Sequence, residues 1–134
     1  MDNERTREPP VERFASDCLE FDLHAEATRL RAEPTPSRHG HRQKTLYKHA
    51  GCTVALFVLE KDAVFPEHSA SGVVTVQAIE GDLVLSVAGE TRVLKAGSVL
   101  MMPPGVKHSV QASSPAVFLL QVSLSPPQSG NERS

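Results

Sequence analysis

The sequence predicts an all-β domain preceded by a short helix. Fourteen of the fifteen valines lie between Val54 and Val122. Valine is stiff at χ1 and packs well on a pleated surface, so this stretch reads as strands. The same stretch breaks into short apolar runs separated by Gly, Pro and Asp. That is the pattern of a sandwich or barrel, and no helices are interleaved to make a parallel sheet.

The rest of the composition agrees. A chain of 134 residues suits one domain. Residues 1–44 carry 17 of the 30 charged residues and only 6 of the 34 Leu, Ile, Val and Phe. The core must therefore come mainly from residues 45–124. The expected organisation is an N-terminal extension over 1–44, a β domain over 45–125 and a disordered tail over 126–134. The net charge of −2 argues against nucleic acid as a partner. No apolar run approaches the roughly 20 residues that span a bilayer, so no membrane partner is expected. The charged start, MDNERTREPP, is not a secretory signal, and a cytoplasmic protein is the default expectation. Cys18 and Cys52 are too few for a disulfide scaffold.

The first dozen residues, charged and holding Pro9 and Pro10, are expected to be disordered. Residues 22–32 predict a helix, because Leu23, Ala27 and Leu30 share one face. Asp22 can cap it and Pro34 stops it. Residues 33–44 read as a polar connector without regular structure. Strands are expected at 45–49, 53–60, 73–80, 83–87, 91–94, 98–102, 108–112 and 116–124, with turn residues between them.

Six histidines carry most of the candidate chemistry: His24, His39, His41, His49, His68 and His108. His24 is expected on the solvent face of the helix. His39 and His41 sit in the connector and read as plain loop residues. His49 ends a strand. No nucleophile elbow, phosphate loop, dinucleotide fingerprint or CxxC pair occurs, so hydrolase and nucleotide chemistry have no support.

His68 and His108 differ in their surroundings, FPEHSASGVVTVQAIEG and AGSVLMMPPGVKHSVQA. These segments resemble the two sequence motifs of the small single-domain cupins. Gly97, Pro103, Gly105 and His108 fit the second motif, G-x5-P-x-G-x2-H-x3-N, at every spacing. Only its last position differs, being Ala112. His68 and Gly81 fit the first motif, G-x5-H-x-H-x3/4-E-x6-G. The resemblance covers about residues 45–124. It implies a double-stranded β-helix, the cupin jelly-roll barrel, and a homodimer.

The resemblance also implies a divalent transition metal, Zn, Fe, Ni or Mn, held by three His and one Glu. Here the sequence departs from the family. Ala70 stands at the second His position and Val74 at the Glu position. Two imidazoles alone should hold a metal weakly or not at all. If Val74 faces inward, alternation puts Val76 and Ala78 inside and Thr75 and Gln77 outside. A bulge near Ser71 could bring Gln77 in as a third ligand. Ala70, Val74, Val76 and Met101 are the expected pocket lining. The leading functional expectation is capture of a small molecule in the barrel. The alternatives are a metal-dependent dioxygenase, isomerase or decarboxylase, and a non-catalytic interaction module.

Overall fold

The computed structural model describes residues 18–35, 37 and 39–124. The expectations for the first dozen residues and for the tail lie outside this range. Helix α1 spans Leu23–Arg31, as the sequence predicts. Its start is set by Asp22, whose carboxylate accepts from the Ala25 amide at 3.1 Å. Ala27 and Leu30 face inward from it.

Nine strands follow: β1 His41–His49, β2 Cys52–Leu59, β3 Val64–His68, β4 Val73–Glu80, β5 Leu83–Val87, β6 Glu90–Leu94, β7 Val99–Met102, β8 His108–Ala112 and β9 Ala116–Ser123. They form a five-stranded sheet, β1-β2-β9-β4-β7, and a four-stranded sheet, β3-β8-β5-β6. All pairings are antiparallel. The two sheets face each other as a jelly roll and do not close into one hydrogen-bonded barrel.

Strands β4, β5 and β8 alternate as the pleat demands, whereas β2 is buried on both faces from Ala55 to Leu59. On β4, Val74, Val76 and Ala78 are buried, and on β5 Leu83, Leu85 and Val87 are. These side chains meet Phe57, Met102, Val110 and Phe118 in the core between the sheets. Phe57 and Phe118 stack with ring centroids 4.9 Å apart, and Phe65 meets Phe57 edge-on at 5.3 Å.

A second apolar cluster lies on the outer side of the larger sheet. Leu46, Leu56, Val58 and Val117 are covered there by Ala27 and Leu30 of α1. Each fully buried Leu stabilises this docking by about 1.5–3 kcal/mol. Ion pairs frame it. Lys44 and Arg29 both donate to Glu26 at 2.7 Å, and His24 and Arg31 donate to Glu80 at 2.8 and 3.0 Å.

Two features differ from the expectation. Strand β3, Val64–His68, is not among the expected strands, yet it pairs with β8 despite Pro66, with a register shift between Phe65 and His68. Residues 41–44 are not connector but the start of β1, pairing from His41↔Leu59 to Lys44↔Leu56. The register of β2 carries the ladder through this polar segment. His39 and Gly40, both at positive φ, turn the chain into the strand.

Gly72 shows why a glycine stands where β4 begins: a Cβ there would run into the Ser123 carbonyl.

Candidate functional site

The histidines singled out by the sequence come together. His68 closes β3, His108 opens β8, and the two are register partners. Their ring centroids lie 4.3 Å apart. His108 is buried, at 3% exposure, and His68 is exposed. The pair thus runs from the protein interior to its surface.

The local geometry fixes the proton on each ring. His68 Nδ1–H donates to the Pro66 carbonyl at 2.9 Å. His108 Nδ1–H donates to the Val106 carbonyl at 3.1 Å. A carbonyl only accepts, so Nδ1 carries the hydrogen in both rings and Nε2 of each neutral ring keeps its lone pair.

The neighbouring family positions are apolar. Ala70 packs against the main core, and its carbonyl accepts from the Gly105 amide at 2.9 Å. Val74 is buried and pairs with Met102. Val76 is buried on the same face.

Two expected site residues stand elsewhere. Gln77 is exposed on the outer face of β4, because the ladder with β7 and β9 runs without a shift from Val74 to Gln77. No bulge brings it inward, so it is not a third ligand. Met101 is 64% exposed and pairs with Thr75 on that outer face. Met102, its neighbour, faces inward instead. The Val74↔Met102 register decides which of the two methionines points in.

Other histidines are accounted for by their partners. His24 lies on the exposed face of α1 and reaches Glu80. His49 is exposed at the end of β1. His41 was not foreseen as an interior group. It stands on β1 opposite the core residue Leu59, with its ring 4.2 Å from that of Phe65. Burial, and then the charge of His39, push its pKa down. The periodicity of 41, 43 and 45 was its only signal, and the polar composition of 33–44 masked it.

Among the described residues, no group of three or more His, Cys, Asp or Glu is arranged to hold a metal ion. A catalytic metal generally takes three protein ligands. The donor set here is two imidazoles flanked by Ala70 and Val74, and it does not fit a tightly held metal.

Comparison with known proteins agrees with the architecture. No curated protein matches. Among solved structures, the chain is similar to the conserved SPY1581 protein of unknown function from Streptococcus pyogenes, at TM-score 0.67 and 21% identity, over 84% of this chain and 93% of that one. It is similar to an RmlC-like cupin from Shewanella frigidimarina, at 0.63 and 20%, over 66% and 79%. It is also similar to KdgF from a Halomonas species, at 0.62 and 17%, over 69% and 86%. At these identities the likeness is one of fold. The cupin domain family matches residues 55–122, the stretch that holds both motifs and both histidines. The chain belongs to the cupin domain family.

Proposed function

We propose that this protein captures a small molecule between its sheets, beside His68 and His108, without a tightly held metal. One observation carries the reading. The two histidines stand together with their Nδ1 hydrogens committed to backbone carbonyls, while two expected ligand positions are occupied by Ala70 and Val74. What remains is a pair of Nε2 acceptors, with apolar Ala70 and Val74 at the family's other ligand positions and Met102 paired with Val74 in the core. Mostly apolar sites with a few convergent polar groups are the usual form of a small-molecule pocket.

The test compares untagged wild-type protein with the His68→Ala/His108→Ala variant. Both are incubated with a total metabolite extract, washed and denatured, and the released compounds are identified by mass spectrometry. A compound retained by the wild type and lost from the variant is expected. Identical extracts would overturn the reading.

A metal-dependent enzyme is the second reading. The Nδ1-to-carbonyl lock is also how metal-ligating histidines are oriented. That reading needs a third ligand, and among the described residues no third His, Cys, Asp or Glu is grouped with the pair.

Pairing of two copies is proposed as well. The sandwich has four edge strands, β1, β7, β3 and β6. Three carry features that discourage pairing with another chain. β1 has Arg42, Lys44, Lys48 and a bulge at Thr45/Tyr47. β3 has Pro66, Glu67 and a register shift before His68. β6 has Glu90 and Arg92. β7, Val-Leu-Met-Met, has neither charge nor proline nor bulge, and its Val99 and Met101 are exposed. An antiparallel pair of β7 strands is self-complementary, as a two-fold dimer requires.

A further inference from the structure

We infer that His41 is a pH-sensitive latch on the seam between the edge strands β1 and β3, and that acid releases this seam and with it the strand that ends in His68. The inference concerns the scaffold and holds whether or not a small molecule is bound.

The seam has no backbone ladder. β1 is the outermost strand of the larger sheet and β3 the outermost strand of the smaller one. Side chains close the gap instead. The His41 ring lies 4.2 Å from that of Phe65, which in turn meets Phe57 at 5.3 Å and Phe118 at 6.1 Å, both edge-on. At the same end of the sandwich, a Cβ on Gly40 would come within 3.2 Å of the Ala63 Cβ, so the turn into β1 meets the turn into β3. Elsewhere β3 is lightly held. It pairs with β8 at Val64↔Gln111 and Phe65↔Val110, and then only after a register shift at His68↔His108. The seat of Phe65 in the seam is therefore a main anchor of β3.

Of the rings in this contact, only His41 can change its charge. It is half-buried, and its Nδ1 is buried without a hydrogen-bond partner among the described residues. In the neutral ring one nitrogen carries no hydrogen, and Nδ1 can be that nitrogen. The imidazolium donates from both nitrogens, so protonation would put an N–H at Nδ1 with no acceptor to receive it. The groups packed around the ring do not welcome the charge. Leu59 and Phe57 on β2 and Phe65 on β3 are apolar. Glu60, Lys61 and Asp62 of the β2–β3 turn and Glu67 and His68 of β3 are exposed, and Glu60 accepts from the Ser37 hydroxyl at 2.7 Å. On β1 itself, Arg42 and Lys44 reach Glu33 and Glu26 under α1. The charge that acts on His41 is that of His39, which repels a second positive charge. Burial and this repulsion outweigh a hydrogen bond with the His39 backbone and hold the pKa down.

The direction of the switch follows from which state keeps the ring neutral. In the closed seam the pKa lies below 6.5, whereas a solvated ring in an opened seam returns to about that value. As pH falls through 6.5 the open form takes the proton first, so acid favours opening and a return to neutral pH closes the seam. At pH 5.5 the open form gains about tenfold at most.

Hydrogen exchange of the full-length protein at pH 7.5 and 5.5, corrected for the intrinsic pH dependence of amide exchange, tests this strand by strand. Amides of β3 and of residues 41–44 are expected to open more readily than those of the β4–β9 ladder at both pH values. Their opening constants should rise several-fold, up to about tenfold, at pH 5.5. His41→Phe keeps a ring against Phe65 and should abolish the rise. His39→Gln leaves the latch in place and should make the rise smaller. The His41 imidazole resonances of the wild type should titrate below pH 6.5. A rise that persists in His41→Phe, seam amides that open only together with the β4–β9 ladder, or titration of His41 above pH 6.5 would overturn the inference.

Discussion

His68 and His108 stand directly opposite each other across the β3–β8 ladder, yet one is exposed and the other is buried at 3% exposure. Their replacement should therefore act differently on stability. His108→Ala removes a buried ring and strands the Val106 carbonyl, at a cost of about 1–3 kcal/mol. His68→Ala should change stability by no more than about 0.5 kcal/mol. Urea unfolding of the two variants checks the contrast, and equal losses would contradict the burial asymmetry.

The proposed capture without a tightly held metal rests on the apolar residues Ala70 and Val74 at two positions where the family has ligands. Restoring the family pattern with Ala70→His/Val74→Glu should create a site for Zn or Ni. Val74 is buried at 3%, so the added carboxylate should lower the melting temperature of the metal-free variant. Metal should raise it again, by mass action on the folded state. Thermal melts with and without metal measure both effects. A variant indifferent to metal would mean that these two positions do not converge on the histidines.

Acid should weaken the fold in two stages. The pKa of His41 is pushed below 6.5 by burial and then by the charge of His39. As pH falls through 6.5 the unfolded chain takes up this proton before the folded one does. Stability is full above that value and declines below it. His41→Phe should flatten the dependence of melting temperature on pH between 7 and 5. The pKa of Glu80 is lowered from 4.5 chiefly by its hydrogen bond from His24. For Glu26, burial raises the pKa, but the hydrogen bonds from Lys44 and Arg29 outweigh it and the net shift is down from 4.5. Both carboxylates hold α1 above about pH 4.5 and release it as pH falls through their depressed values. Hydrogen exchange of the α1 amides should accelerate in that lower window.

The helix should matter through what it covers. Leu30→Ala should cost about 2–5 kcal/mol, since Leu30 is 1% exposed over Leu46, Leu56 and Val58. Deleting residues 1–32 should lower the melting temperature and expose that face, while a cut through 44 would also remove half of β1. An unchanged melting temperature after the shorter deletion would contradict the docking described.

Pairing through β7 predicts a change of mass in solution. Met101→Lys places a charge on the unprotected edge and should convert a dimer into a monomer. Sedimentation of the wild type as a monomer, or of the variant as an unchanged dimer, would remove β7 as the interface.

Much of this was legible in the residues. The alternation of Val74, Val76 and Ala78 showed which side of β4 is buried, and Asp22 and Pro34 framed α1. The spacing of Gly97, Pro103, Gly105 and His108 carried the family. Other features needed the register. Met101 and Met102 are indistinguishable by type, and only the pairing with Val74 turns Met102 inward. His41–Lys44 looked like connector because the outward charges are paired under α1, a contact between segments that no local pattern encodes.

The central claim is a histidine pair that serves a small molecule and holds no metal tightly. Elemental analysis tests it most directly. Untagged protein would be equilibrated in turn with Zn, Fe, Ni and Mn, then dialysed, beside His68→Ala/His108→Ala. The account predicts retention far below one metal per chain, equal in the two proteins. One metal per chain in the wild type, lost in the double variant, would contradict it.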